Sequence, residues 1–276
     1  MLKKSRDTVS ILLQSATYFG AIFAVGILLF LIIFILIKGL GHIDADLFSL
    51  IYTSENSSLL PAAINTAEMT LLALLVAVPL GIFSGIYLVE YADGEGRFVK
   101  IIRLTAETLA GIPSIVYGLF GLLFFTMNLG LGFSLASGAL TLALMVLPLI
   151  MRTSEEAIAA VPRAYREASF GLGAGKTRTI LKIVLPAAIP GILSGIILAI
   201  GRIVGETAAL IYTSGTVAKI AGLTESGRTL AVHMYVLSTE GLHMDKAFAT
   251  AVVLLAVVIT LNFLAGILAR SLKRGL

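Results

Sequence analysis

Two charged residues inside an apolar stretch near residue 200 could bind an anion. Arg202 and Glu206 are four residues apart, so a continuous helix would bring both side chains onto one face, about one turn from each other. A guanidinium offers a planar fork of donors that suits phosphate-type oxyanions. Glu206 would hold that fork in place and could accept a hydrogen bond from a protonated oxyanion. A self-contained Arg–Glu pair that fixes helix packing is the structural alternative.

Other polar residues in the apolar stretches are candidates for the same path. Carboxylates within a membrane usually face a cavity or a partner, which makes Glu107 a candidate, although a position at a helix end would also explain it. We add Ser114 and Thr207 to the predicted pathway. Glu68, like Glu107, could face the cavity or lie at a helix end. Four further residues could line the cavity or form hydrogen bonds between helices: Asn65, Thr66, Ser114 and Tyr117.

The composition indicates an integral membrane protein. The chain has 276 residues, of which 58% are hydrophobic and 13% charged, and its mean hydropathy is +1.01. Because it contains no cysteine, disulfides, thiolate chemistry and Cys-ligated metals are excluded. The net charge of +4 fits loops that face lipid headgroups better than it fits nucleic acid.

The apolar runs predict six transmembrane helices, each long enough to cross a hydrocarbon core of ~30 Å. Residues 1–61 would form an N-terminal tail, the first helix and an external loop, and residues 62–276 a five-helix core. The predicted spans are approximately Thr17–Ile37, Ala62–Val89, Leu104–Met127 (interrupted by Gly111 and Pro113), Phe133–Met151, Ala187–Thr213 and Phe248–Leu268.

The distribution of basic residues predicts the orientation. Most of the 20 Lys and Arg residues fall on alternate loops, and such an excess marks the cytoplasmic side. Both termini and the segment 152–182 would therefore be cytoplasmic. The loops Lys38–Pro61 and Ser214–Ala247 would lie on the other side.

The cytoplasmic segment 152–182 contains a predicted docking helix. Helical structure should continue from the fourth span to about Ala160, because Pro162 disfavours helix at the residue before it. Pro162 can then begin a short helix over 163–170, ended by Gly171 and Gly173. Such a helix is too short to be stable alone in water. We therefore expect it to dock onto another protein.

A glycine-rich stretch in the same segment imitates a phosphate-binding loop. The run Gly171–Thr177 ends in Gly-Lys-Thr, but the motif would require a glycine at Phe170. No strand precedes it either. We therefore expect this chain to bind no nucleotide.

The docking segment resembles the permease subunits of bacterial ABC importers. Their signature is Glu-Ala-Ala, three residues, Gly, nine residues, and Ile-x-Leu-Pro; here Glu167-Ala168-Ser169, Gly173 and Ile183-Val184-Leu185-Pro186 match that spacing, with Ser169 in place of the second alanine. The resemblance implies that this coupling helix sits in a cleft of an ATP-hydrolysing subunit. The residues implied in that contact are Arg163, Ala164, Tyr165, Arg166, Glu167, Ala168, Ser169 and Gly173.

Two further stretches are similar to the phosphate ABC importer permeases of the PstA type. One is Gly201-Arg202-Ile203-Val204-Gly205-Glu206-Thr207-Ala208, and the other is Glu107-Thr108-Leu109-Ala110-Gly111-Ile112-Pro113-Ser114. Ala209 departs from the pattern, because the family commonly has proline at that position.

The resemblance implies an all-α, type I ABC importer permease-like fold in a prokaryotic inner membrane. It implies inorganic phosphate import by a heterodimer with a second permease, two cytoplasmic ATP-binding subunits that use ATP-Mg, and an external phosphate-binding protein. This chain would carry no catalytic residue, metal or cofactor. A permease for sulfate, molybdate or phosphonate is an alternative, and a channel or transporter without ATP coupling is another.

Overall fold

The computed structural model describes residues 8–92 and 96–274, and those ranges form helices joined by turns and loops, without a β-strand. The α-helices, numbered in chain order, are α1 (Thr8–Gly39), α2 (Leu60–Ile86), α3 (Arg97–Ala110), α4 (Ser114–Gly121), α5 (Leu135–Ala159), α6 (Arg163–Gly171), α7 (Lys176–Thr179), α8 (Leu185–Val204), α9 (Ala208–Ile211), α10 (Leu230–Glu240) and α11 (Met244–Arg274).

Three π-helical stretches continue these helices. Tyr87–Tyr91 follows α2, Leu122–Asn128 follows α4, and Ile180–Val184 joins α7 to α8. Five helical stretches are long and apolar enough to cross a membrane. A sixth crossing results if α3 and α4 with its π-helical continuation are counted as one broken span.

The third predicted span is not a single rod. Its first half, α3, already starts at Arg97 and is bent by 101° from the segment Ser114–Asn128. Pro113 lies immediately before α4 with ψ at 143°, and an extended residue cannot continue a helix. The interruption predicted at Gly111 and Pro113 is therefore a break between two helices.

The helical bounds predicted after the fourth span, to about Ala160 and over 163–170, are confirmed. Helix α5 continues to Ala159, and α6 covers Arg163–Gly171 with Pro162 as its N-cap residue. We call the end of the bundle that carries α6 the α6 end, and the other end the opposite end.

The fifth predicted span ends earlier than expected. The helical stretch Lys176–Val204 stops at Gly205, and the chain resumes helical structure only in the four-residue α9. A continuous helix from Ala187 to Thr213 was therefore a wrong prediction. The apolar residues on both sides of Gly205 and Glu206 hide this end in the sequence.

The segment 214–247 is more ordered than the polar loop that we predicted. It contains α10, capped by the Thr229 hydroxyl and ended by Gly241 at a φ of +70°. Leu230, Val232 and Leu237 of this helix are buried. The threonine before an apolar run and the following glycine were readable start and stop signals.

Helix α5 forms the centre of the bundle, between α2 and α8. A Cβ atom on Gly81 of α2 would collide with Ile150 of α5, and one on Gly85 with Ser154. On α8, a Cβ atom on Gly191 or Gly195 would collide with Ala157 or Thr153 of α5. Glycines four residues apart thus let both neighbours approach α5 closely. The core there includes Met69, Leu142, Met145 and Ile150.

Candidate functional site

Arg202 lies in the last turn of α8 and is half-buried. The unpaired carbonyls at a helix C-terminus carry partial negative charge and favour a cation there. Among the described residues, no ion pair or side-chain hydrogen bond involves its guanidinium.

A cavity of about 550 Å³ separates α3, α5 and the end of α8, and Arg202 is one of its walls. It continues along α5 towards Ala159 at the α6 end. The lining residues are Arg103, Ala106, Glu107, Ala110, Pro148, Leu149, Met151, Arg152, Thr153, Glu155, Glu156, Ala159 and Arg202.

The other two arginines of the cavity are paired with carboxylates. Arg103 lies 2.7 Å from Glu155, and Arg152 lies 3.1 Å from Glu156 and 3.6 Å from Glu107. Their charges are thereby compensated, and the Arg152 pairs are well exposed to solvent. Arg202 thus supplies the lining guanidinium whose donors remain available.

Glu206 does not hold that guanidinium. It lies beyond the end of α8, is 9% exposed, and its Oε1 accepts a hydrogen bond from the Ala209 backbone N–H at 3.1 Å. This carboxylate therefore caps α9, where negative charge is favourable. The predicted pair on one helical face is wrong, because the helix ends at Val204 between the two residues.

The remaining predicted pathway residues are separated by the fold. Glu107 lines the cavity with Arg202, whereas Ser114 starts α4 and Thr207 lies in the break after α8, and neither is among the lining residues. Tyr117 instead donates from its hydroxyl to the Leu109 carbonyl at 2.8 Å, across the break between α3 and α4.

Asn65 and Thr66 form hydrogen bonds between segments. The Asn65 amide donates to the carbonyls of Lys219 and Arg228 and accepts from the Ala221 N–H. Thr66 Oγ1 accepts from the Leu230 N–H at 2.8 Å. The start of α2 is thereby tied to the loop at the opposite end. Of the two interpretations left open, the structural one holds for both residues.

Four cavity residues were missed as site candidates because their charges were counted with the cytoplasmic side rather than with the pathway: Arg103, Arg152, Glu155 and Glu156. Arg152, Glu155 and Glu156 follow one another at helical spacing. Since we predicted helix as far as Ala160, that spacing could have placed them on one face.

Helix α6 turns one arginine inward and leaves most predicted contact residues exposed. Arg166 Nε and Nη2 donate to Glu90 Oε1 at 2.8 and 2.7 Å. Its Nη1 donates to the Val161 carbonyl at 2.7 Å, and Nη2 also to the Ile158 carbonyl at 3.0 Å. Arg166 is thus directed into the chain, contrary to the prediction that it faces a partner.

Ser169 is also buried, and its hydroxyl lies 2.8 Å from that of Thr179. The predicted contact residues that remain exposed are Arg163, Ala164, Tyr165, Glu167, Ala168 and Gly173. Apolar side chains accompany them, because Tyr165, Phe170 and Leu172 are 53%, 47% and 90% exposed. The surface of α6 therefore combines charge with apolar area.

Comparison with known proteins finds similarity to transport permeases. The chain is 36% identical over 195 residues to the probable ABC transporter permease protein YqgI of Bacillus subtilis, with 66% of each chain covered. It is 38% identical over 200 residues to the phosphate transport system permease protein PstA 1 of Mycobacterium tuberculosis, covering 71% of this chain and 65% of that one. The chain thus spans slightly less than two thirds of these relatives.

Solved structures identify the fold, and a family model identifies the family. A chain of a bacterial alginate ABC transporter, in complex with an alginate pentasaccharide-bound periplasmic protein, matches with a TM-score of 0.67 at 18% identity, over 97% of this chain and 98% of that one. The predicted all-α, type I ABC importer permease-like fold is confirmed. The family model for a binding-protein-dependent transport system inner membrane component matches residues 77–276. The chain therefore belongs to this family of multi-pass inner-membrane transport components.

Proposed function

We propose that the chain is a permease subunit of an ATP-driven importer of inorganic phosphate and forms half of the translocation pathway. Its family supports transport, and its relatives include a phosphate transport system permease protein.

The open guanidinium of Arg202 carries the proposal. Removing an arginine from water into a membrane is costly unless an anion or a hydrogen-bond acceptor compensates it. Arg103 and Arg152 have such partners in the cavity, whereas Arg202 has its donors free on a wall of the same space. A phosphate that passes through would supply the missing acceptors in bidentate geometry.

The choice of phosphate over other oxyanions rests on the relatives rather than on Glu206. Since Glu206 Oε1 caps α9, an acceptor for a protonated anion at Arg202 is no longer provided by a helical pair. Sulfate, molybdate and phosphonate therefore enter the experiment as competitors.

The proposed partners follow the family and the exposed surfaces. Helix α6 would dock into one of two ATP-binding subunits through Tyr165, Phe170 and Glu167. The equivalent helix of a second permease would dock into the other. ATP-Mg would be bound and hydrolysed in those subunits. A phosphate-binding protein would dock at the opposite end, and both termini and α6 would be cytoplasmic, as the basic residues indicate.

The test is labelled-phosphate uptake in cells without phosphate permeases of their own, complemented with this chain and its partner subunits. Arg202→Gln removes the guanidinium and keeps a polar side chain. Arg97→Gln is the matched control, because Arg97 is exposed at the start of α3 and lies outside the cavity. Loss of two charge-assisted hydrogen bonds predicts about a 100-fold or larger fall in uptake for Arg202→Gln.

Membrane assembly is checked by co-purification with the ATP-binding subunit. Normal uptake by Arg202→Gln would refute the anion site. If excess sulfate, molybdate or phosphonate abolishes the uptake of labelled phosphate by the wild type, the site also binds that oxyanion, and its assignment to phosphate in particular is wrong. Uptake without any ATP-binding subunit would refute ATP coupling and favour a channel.

A further inference from the structure

We propose that the Glu90–Arg166 ion pair passes the movement of α6 to α2, which makes both side chains positioning residues for transport. The inference rests on the proposed function, since it requires that α6 docks onto an ATP-binding subunit.

The Glu90–Arg166 pair is a largely buried contact between two segments that are distant in sequence. Arg166 and Glu90 side chains are only 16% and 9% exposed, and their closest atoms lie 2.7 Å apart. Together with the bonds to Val161 and Ile158, each guanidinium nitrogen has an acceptor. Four of the five N–H donors of this arginine are thus used within the chain, and a single Nη1 N–H is left for a docked partner.

Helix α6 depends on such external attachments. Nine residues make only about two and a half turns, too few for a stable isolated helix. Its other described side-chain attachment, between Ser169 and Thr179, leads to α7 and not to α2. The contact between Arg166 and Glu90 therefore joins α6 directly to the span that contains α2. The bond between Ser169 and Thr179 joins α6 to the helix that follows it in the chain.

Glu90 stands where α2 changes its winding. Residues Tyr87–Tyr91 form a π-helical turn at the α6 end of this span, and π-turns within helices recur at functional sites. Lys176 adds a second contact there, with Nζ 4.7 Å from the centre of the Tyr91 ring. Displacement of α6 and α7 would thus act on one short turn.

The other end of α2 is also attached. Asn65 is fully buried and makes three hydrogen bonds to backbone groups of Lys219, Ala221 and Arg228. Helix α2 therefore connects the surface proposed for the ATP-binding subunit with the loop proposed for the binding protein. Because both ends of α2 are attached, a displacement of this helix by α6 would also move the loop at the opposite end.

The test is a double-mutant cycle on the purified complex of both permeases and the ATP-binding subunits in proteoliposomes with binding protein. The variants are Glu90→Gln, Arg166→Gln and the double variant, and Lys182→Gln is the matched control because Lys182 is exposed on the same segment. The measured quantity is the number of ATP molecules hydrolysed per phosphate imported. We expect each single variant to raise it about tenfold, and the double variant to raise it no further.

A cross-link separates positioning from charge. The chain has no cysteine, so Glu90→Cys/Arg166→Cys supplies its two thiols, which a short bismaleimide can join. Joining α2 to α6 should bring the ratio back to within about threefold of wild type. Recovery of this kind would show that the connection between α2 and α6, rather than the charge or the hydrogen bonds of the pair, sets the ratio, because the reagent restores neither.

Several outcomes would overturn the inference: an unchanged ratio in Glu90→Gln, additive increases in the double variant, or no recovery after cross-linking. If Arg166→Gln does not co-purify with the ATP-binding subunit, Glu90→Gln decides alone against Lys182→Gln. Failure of the wild-type complex to import phosphate would instead refute the proposed function, and the two results are therefore distinguishable.

Discussion

Arg166 and Arg202 carry the same chemical group in opposite environments. Arg166, at the α6 end, uses its nitrogens on Glu90 and on two backbone carbonyls. Arg202 lies on a cavity wall, and the described residues supply it with no ion pair. One guanidinium is part of the protein's own structure, and the other is the group to which we propose that the transported anion binds. Partners, rather than burial or charge, distinguish the two roles.

The largest expected contrast is in stability. Arg166→Leu leaves Glu90 buried without a partner, which should cost about 3–5 kcal/mol in the free energy of unfolding. Arg202→Leu removes no described interaction and should change it by less than about 1 kcal/mol. Chemical or thermal unfolding of the detergent-solubilised complex measures both, with Arg97→Leu as the exposed control.

Limited proteolysis shows which part of the protein loses stability in Arg166→Leu. In Arg166→Leu, cleavage should appear first within 163–171, because α6 loses its attachment to α2. Equal destabilisation by the two leucine variants would remove the distinction between a structural and a functional arginine.

An intermediate effect is expected from His233, which is fully buried but has no described hydrogen-bond partner on either ring nitrogen. The residue is on α10, outside the membrane-spanning helices. Burial, followed by the nearby charge of Arg228, lowers the pKa of His233 from 6.5 to about 3. The folded protein therefore keeps this imidazole neutral, whereas the unfolded chain binds a proton near its ordinary pKa.

Stability from this residue is complete above about pH 6.5 and falls as the pH is lowered towards 3, by at most about 1.4 kcal/mol per pH unit. Between pH 7 and pH 5.5, unfolding should become easier by about 1 kcal/mol in the wild type. His233→Leu should reduce that difference, and identical pH dependence of the two proteins would contradict the assignment.

The smallest effect is expected from an ion pair that lies in solvent. Glu156 and Arg152 are 66% and 59% exposed, so Glu156→Gln should change the free energy of unfolding by less than about 0.5 kcal/mol. A loss as large as that of Arg166→Leu would mean that proximity of charges alone, without burial, accounts for the strength of the Glu90 contact. The same unfolding assay measures it.

The sequence predicted those features that depend on local composition. Apolar length gave the spans, and Pro162 with the following glycines gave α6 almost to the residue. The break after Val204 was missed, because Gly205 and Glu206 are surrounded by residues that could all continue an apolar helix. Without that break, Glu206 appeared to be the partner of Arg202.

Long-range partners were also beyond the sequence. Glu90 is 76 residues from Arg166, and no local spacing relates the two residues. The family signature marked α6 as a partner contact as a whole. It did not indicate that Arg166 and Ser169 turn inward while their neighbours face outward, because that depends on how α6 is placed against α2 and α7.

The glycine contacts around α5 determine which helices can move relative to one another. With Gly81, Gly85, Gly191 and Gly195 seated directly against α5, α2 and α8 cannot rotate or slide relative to α5 without steric collision. Helix α4 is held in the same way, since a Cβ on Gly118 would meet Ala209. Helix α3 is joined to α5 differently, through side chains such as the Arg103–Glu155 ion pair, and the extended Pro113 separates it from α4. A displacement passed to α2 would therefore carry α5 and α8 with it, and α3 would follow only through these side chains, which line the cavity that contains Arg202.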